Sequence, residues 1–302
     1  MWFRFGPGNN LAMESNAAKS QIKARKVFEY EDFARDRWID GLELDYNLDW
    51  CMILKDSAGS QKYFILNAEL GQREENENLI EIDKSEESRY SILQKLPDNH
   101  WLVANRNARG NHVKNGSIVD AYGKCTGRLA LGDGIQQMQV TDSGAIWVGY
   151  FDEGVYGGDP LSHPGFVRFD KDGSKTFDFL EFAHQFQLEP ISDCYAFNVI
   201  SDSEIWMYYY AGNVLLTITD GVLDQKIAGL PAFSDFAIAN DSILFAKLRE
   251  QTLELANLRT KKSTVLEPVD EEDRPINFIS ACARKNRLCL ADQKSLYNID
   301  LA

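Results

Sequence analysis

Apolar and polar side chains alternate along IQQMQVTDSGAIWVGYF, residues 135–151. The first strand is followed by a turn on Asp142, Ser143 and Gly144, and a second strand opens on Ile146 and Trp147. The same pattern returns as LELDYNLDWCMILKD (42–56), YSILQKLPDNHWLVAN (90–105), CYAFNVISDSEIWMYYY (194–210), FSDFAIANDSILFAKL (233–248) and INFISACARKNRLCLAD (276–292). The turns carry Asp, Asn, Ser, Gly or Lys, which suit the backbone geometry of short hairpins. Aligned on Trp50, Trp101, Trp147, Trp206, Leu244 and Leu288, the second strands recur at steps of 51, 46, 59, 38 and 44 residues, a mean near 48. A period of that size matches one blade of a propeller.

Further hairpins follow, as in GFVRFDKDGSKTFDFLEF (165–182), NVLLTITDGVLDQKIAGL (213–230) and TLELANLRTKKSTVLEPV (252–269), so each unit has four strands. Within the first of these, KTFDFLEF reads as a strand. The last unit is short of one strand, because SLYNIDLA (295–302) supplies only a third. The alternating segment Lys26-Val27-Phe28-Glu29-Tyr30 is the candidate to replace it, which would join the ends of the array and bury open sheet edges. A sandwich or pair of barrels also shows many short strands, but six matching units favour a ring. The expected fold is therefore all-β, a six-bladed β-propeller with four-stranded blades, closed by an N-terminal strand. It forms a single domain over 26–302, after a tail or short helix over 1–25. Large side chains at the Trp147 position should pack against the next blade, making Trp101, Trp147 and Trp206 core residues.

Charge narrows the partners. The chain has 302 residues, with 46 acidic against 32 basic side chains and a formal net charge of −14. Nucleic acid would be repelled, whereas a basic protein or a cation would be attracted. Hydration alone is a sufficient reason for such a surface. The N-terminus lacks the apolar run of a secretory leader, and no window approaches the ~20 apolar residues of a membrane span. Five scattered cysteines (Cys51, Cys125, Cys194, Cys282, Cys289) without a CxxC pair read as reduced thiols, with Cys282 and Cys289 in neighbouring strands. These features point to a cytoplasmic protein that contacts no membrane.

The segment DGIQQMQVTDSGAIWVGYFDEGVYG (133–157) resembles the repeats of the two-component-regulator propeller family, in which a turn glycine precedes Ile-Trp-Val-Gly. Here these residues are Gly144, Ile146, Trp147, Val148 and Gly149. It is also similar to streptogramin-lyase and NHL-type propeller repeats. The match covers one repeat, with Asn99, Glu204 and Asn286 replacing the glycine elsewhere. The resemblance implies the propeller fold, and it transfers no lyase catalytic residue.

Candidate chemistry gathers in the insertion FDEGVYGGDPLSHPG (151–165), which holds Asp152, Glu153, Asp159 and His163. Three carboxylates and an imidazole can bind a divalent cation or supply a general acid and base, although a hydrated, turn-rich loop is the plainer account. Asp133 stands at a strand entrance, and Gln137, Gln139, Asp193 and Asn198 are polar positions that should line a solvated channel. Asp170-Lys171-Asp172-Gly173-Ser174 starts like a calcium loop but reads as a hairpin turn. The polar runs 72–78, 83–87 and 270–273 read as hydrated surface. Two functions fit. The first is a non-enzymatic protein-binding scaffold, of regulatory or antidote type, for a basic partner and without a cofactor. The alternative is a metal-dependent lyase or lactone hydrolase at the channel mouth.

Overall fold

Each repeat folds as one antiparallel sheet whose first strand lies nearest the ring axis. The computed structural model describes residues 20–34, 36–57, 62–69, 71, 79–83, 89–108, 110, 112–211, 213–230 and 233–302. The described chain opens with β1 (Ser20–Lys23), β2 (Arg25–Glu29) and the one-turn helix α1 (Glu31–Ala34). Blade 1 is β3 (Arg37–Leu44), β4 (Trp50–Asp56), β5 (Tyr63–Asn67) and β6 (Ile80–Ile82), and blade 2 is β7 (Ile92–Leu96), β8 (His100–Ala104), β9 (Gly116–Val119) and β10 (Cys125–Leu129). Blade 3 contains β11 (Ile135–Val140), β12 (Ile146–Tyr150), helix α2 (Asp152–Tyr156), β13 (Phe166–Phe169) and β14 (Lys175–Asp178), and helix α3 (Phe179–Phe186) leads on from it. Blade 4 is β15 (Cys194–Val199), β16 (Glu204–Tyr209), β17 (Val214–Thr219) and β18 (Val222–Ala228). Blade 5 is β19 (Phe236–Ala239), β20 (Ser242–Lys247), β21 (Thr252–Asn257) and β22 (Ser263–Val269), and blade 6 adds β23 (Ser280–Arg284), β24 (Arg287–Ala291) and β25 (Ser295–Asp300). The innermost strands touch in sequence, β3 to β7, β11, β15, β19 and β23, and β23 touches β3 again, so the ring is closed.

The expected closing strand is β2. It pairs antiparallel with β25 from Arg25 opposite Asn298 to Glu29 opposite Ser295, completing blade 6. β1 was not expected as a strand. It runs parallel to β22, from Ser20 opposite Leu266 to Lys23 opposite Val269, as a fifth strand on blade 5. Buried Ala24 sits between β1 and β2, its N–H donating to Val269 O at 2.8 Å, so the N-terminal segment clasps two neighbouring blades. Of the segment 1–25 read as a tail or short helix, Ser20–Lys23 is thus extended, and 1–19 lies outside the described residues, as do 72–78 and 84–87 of the polar runs.

Period-two alternation gives every blade two apolar faces, and the buried side chains divide into six clusters, one per blade-to-blade interface. Trp101, Trp147 and Trp206 are all buried. Trp147 and Trp206 face the following blade, but Trp50 and Trp101 face the preceding one. Their alignment with Trp147 is therefore off by one strand position, and a one-residue offset reverses the face.

Aspartates build the turns. Asp170 Oδ1 accepts from the N–H groups of Asp172 and Ser174, both at 2.9 Å, while Gly173 takes φ 85°. Asp45, Asp120 and Asp270 cap their turns in the same way. Asp270 thereby leaves the hydrated run to which its sequence assigns it, being buried and paired with Arg274 at 2.7 Å. The segment read as the strand KTFDFLEF extends only to Asp178. There Asp178 Oδ1 accepts from Leu180 N and Glu181 N, starting α3, which buries Phe179, Phe182 and Ala183. No helix among the described residues is long and apolar enough to cross a membrane.

Candidate functional site

Inner strands converge on an axis whose polar side chains have no apolar neighbour to pack against, so they must find hydrogen bonds. Gln137 Oε1 accepts from Phe197 N at 2.9 Å, and Gln139 Oε1 accepts from Val199 N at 2.8 Å, tying blade 3 to blade 4. Asn198 accepts from Lys285 N at 2.6 Å and donates to Phe236 O at 2.8 Å. Gln94 accepts from Val140 N at 3.2 Å and from Arg284 Nη1 at 3.1 Å. Two further bonds cross the axis between opposite blades 3 and 6: Gln139 Nε2 to Ala283 O at 3.3 Å, and Arg284 Nη2 to Val140 O at 2.5 Å. Gln139 and Asn198 are therefore buried pins and not solvated channel residues, while Gln137 is both a pin and part of the lining above them, and the channel is blocked partway along.

Above this plug, where the inner strands begin, lies a cavity of about 500 Å³. Asp40, Glu43, Arg106, Gln137, Tyr195 and Asp235 are among its lining residues. Burial, reinforced by the charge of Asp235, pushes the Glu43 carboxyl up to about 8 against the pull of Arg106 and Arg284. Burial likewise lifts Asp235 to about 6, with Arg106 opposing it. Asp40 is raised by burial and eased by Lys55. Burial lowers Arg106 despite the attraction of both acids, because a charge loses hydration more readily than it regains it from partners at a distance. Arg106 Nη1 donates to Ile135 O at 3.0 Å and to Gln136 O.

The sequence-derived candidates fall near this mouth without forming it. Asp133 Oδ1 accepts from Ala108 N at 2.7 Å and Gly134 N at 2.8 Å, so it holds the loop that carries Arg106. Asp152 and Glu153 are exposed, and Asp152 Oδ1 accepts from Glu153 N at 2.8 Å at the start of α2. Asp193 is raised to about 6 by burial and by the charge of Asp152, so these two acids do come together. Asp159 is buried and turns inward, with Oδ1 accepting from Leu161 N at 3.0 Å. His163 is exposed, its Nδ1 3.2 Å from Val155 O. The insertion thus bonds largely to itself. Among the described residues no group of three or more His, Cys, Asp or Glu is arranged to hold a metal ion.

Glu43, Arg106 and Asp235 escaped the sequence reading. Asp235 had a usable signal, since Asp133, Asp193 and Asp235 each stand one or two positions before an inner strand. The same end of the ring also gathers exposed apolar side chains. Ten large ones are exposed among the described residues, and seven occupy strand ends or connections on this side, including Trp38, Tyr156, Tyr210 and Ile279. Tyr195 packs edge-on against Tyr210 at 5.9 Å, and Tyr156 Oη donates to Ser192 Oγ at 2.9 Å.

The closed ring and blocked axial channel define a six-bladed β-propeller. The YxzG family model matches residues 166–299, from β13 to β25, less than half of the chain. No curated protein matches it. Among solved structures, a streptogramin B lyase is similar at 12% identity and TM-score 0.51, covering 88% of this chain and 94% of that one. YCF48 bound to a D1 peptide is similar at 11% identity and TM-score 0.50, covering 88% and 79%. A nidogen/laminin complex gives 9% identity and TM-score 0.50, covering 76% and 80%. These likenesses establish the fold.

Proposed function

We propose that this propeller is a protein-binding module that docks a basic partner on the face where its inner strands begin. The observation that carries the reading is the crowding of exposed apolar side chains at that end, since apolar patches on one face mark contact surfaces. Trp38, Tyr156 and Tyr210 are the large, stiff anchors that interfaces favour, and Asp40, Asp152, Glu153 and Asp193 give the same end its negative charge. In one of the similar structures a propeller of this kind, YCF48, holds a peptide.

Capture from native lysate with purified, tagged protein tests this. A stoichiometric protein retained by wild type and by Tyr122→Glu, on the opposite face, but lost with Trp38→Glu and Tyr210→Glu, is the expected result. Equal retention by all variants, or no retained protein, overturns it.

A second reading, acid–base chemistry of lyase or lactone-hydrolase type, is favoured by one observation: two carboxyls with displaced pKa values face one guanidinium in a blind cavity. Lactone hydrolysis abolished by Glu43→Gln would support it. Identical turnover in that variant would remove it.

A further inference from the structure

We propose that the channel mouth binds an organic monocation, a primary ammonium or guanidinium on an apolar stem. This deepens the docking reading, naming what a basic partner inserts at the centre of the face. The cavity is lined by three carboxyl groups, Asp40, Glu43 and Asp235, against one guanidinium, Arg106. Arg106 is committed elsewhere: its Nη1 serves the carbonyls of Ile135 and Gln136, and it makes no ion pair with a described carboxylate. Asp235 has one oxygen held by Gln137 Nε2 at 3.3 Å, leaving the other open to a donor. Glu43 makes no side-chain hydrogen bond to a described residue, although its carboxyl lies deep enough for burial to dominate its titration. Both acids are partly buried at the cavity wall, and an incoming cation that brings several N–H donors can pair with the two of them at once.

The walls select the rest of the ligand. Ile39, Leu42 and Ala281 offer apolar contact above the acids, matching the alkyl stem of a lysine or arginine side chain. The plug formed by Gln139 and Arg284 sets the depth, so the charged end stops beside Glu43. An anion would meet the carboxyls, and among the described residues Asp40, Glu43 and Asp235 are not drawn together as a set of metal ligands.

Protonation supplies a signature that simple adhesion lacks. Glu43 faces Asp235, Arg106 and Arg284, and Asp235 faces Arg106. With Glu43 at about 8, most molecules carry its proton at neutral pH, and a cation must expel it. Apparent affinity should therefore rise about tenfold per pH unit between roughly 6 and 8, then level off.

Calorimetry on the full chain with n-butylguanidinium and n-butylammonium, against n-butyrate and n-butanol, tests the proposal. One cation should bind per chain, with proton release read from the dependence of heat on buffer. Glu43→Gln and Asp235→Asn should each weaken it about tenfold or more while the variants unfold cooperatively. If either variant fails to fold, the pH dependence of wild-type binding decides alone. Equal binding of butyrate, pH-independent binding, or no cation binding at about 10 mM overturns the proposal. A captured partner without cation binding would remove this inference and leave the docking reading; cation binding with no captured partner does the reverse.

Discussion

Gln137 Nε2 donates to Asp235 Oδ1 across 3.3 Å, linking blade 3 to the connection that enters blade 5. The orientation of that amide is forced, because its oxygen accepts from Phe197 N at 2.9 Å. Burial raises both acids of the cavity, Asp235 to about 6 with Arg106 pulling against it, and Glu43 to about 8 because the charge of Asp235 adds to the rise.

Glu43 should make the fold less stable as pH rises. Its carboxyl is raised from 4.5 to about 8, so over that window the folded chain keeps a proton that the unfolded chain releases. The stability it contributes is complete below 4.5 and lost as pH climbs through 8. Glu43→Gln should abolish this component, leaving wild type to lose up to about 5 kcal/mol relative to the variant across the window. Urea unfolding at a series of pH values measures the difference, and parallel curves would refute the assignment.

Phe28 on the closing strand stacks on Trp50 of blade 1 at 4.4 Å, which makes ring closure partly a matter of two rings. Phe28→Ala should cost about 2–3 kcal/mol, somewhat below the range for a fully buried aromatic. Amides of β2 and β25 should then exchange sooner than those of blades 3 and 4. A uniform acceleration in every blade would show that closure is not local to this contact.

The propeller was legible because alternation and period are both local properties that packing merely repeats six times. Closure by Val27 and Phe28 was legible for a related reason, since the last unit lacked a strand. Ser20–Lys23 was not, because SQIK carries no apolar alternation: it adds to β22 through backbone pairing, with Ile22 alone packing on the core and Lys23 pairing with Asp273. α3 was hidden by its aromatics: Phe177, Phe179 and Phe182 mimic a strand until the Asp178 cap turns the chain. Glu43 stands between Leu42 and Leu44 in LELD, a polar position of an alternating strand with no motif to mark it. In a ring, the solvent face of an inner strand is the channel, and only the closed topology reveals that.

Asp133 was singled out as a ligand candidate and instead accepts two backbone N–H groups, at 2.7 and 2.8 Å. Asp133→Ala should leave both amides short of an acceptor and cost about 1–3 kcal/mol. It should also loosen the loop between β8 and β9, seen as faster exchange at Ala108, and thereby blunt any effect of Arg106 at the mouth. Unchanged exchange at Ala108 would mean the loop is held by other bonds.

Gly149 closes the Ile-Trp-Val-Gly run and faces blade 4, and its glycine has a packing cause. A Cβ there would lie 2.7 Å from Cys194 Sγ and 3.2 Å from Phe197 Cδ1, both buried against the neighbouring sheet. Gly149→Ala should therefore destabilise by about 1–3 kcal/mol through overpacking. Removing the obstructing sulfur with Cys194→Ala opens space for the methyl group, so the double variant should be more stable than the two single losses predict, by about 1 kcal/mol or more. Strict additivity in urea unfolding would show that the inter-blade gap yields on its own and that Cys194 does not dictate the glycine.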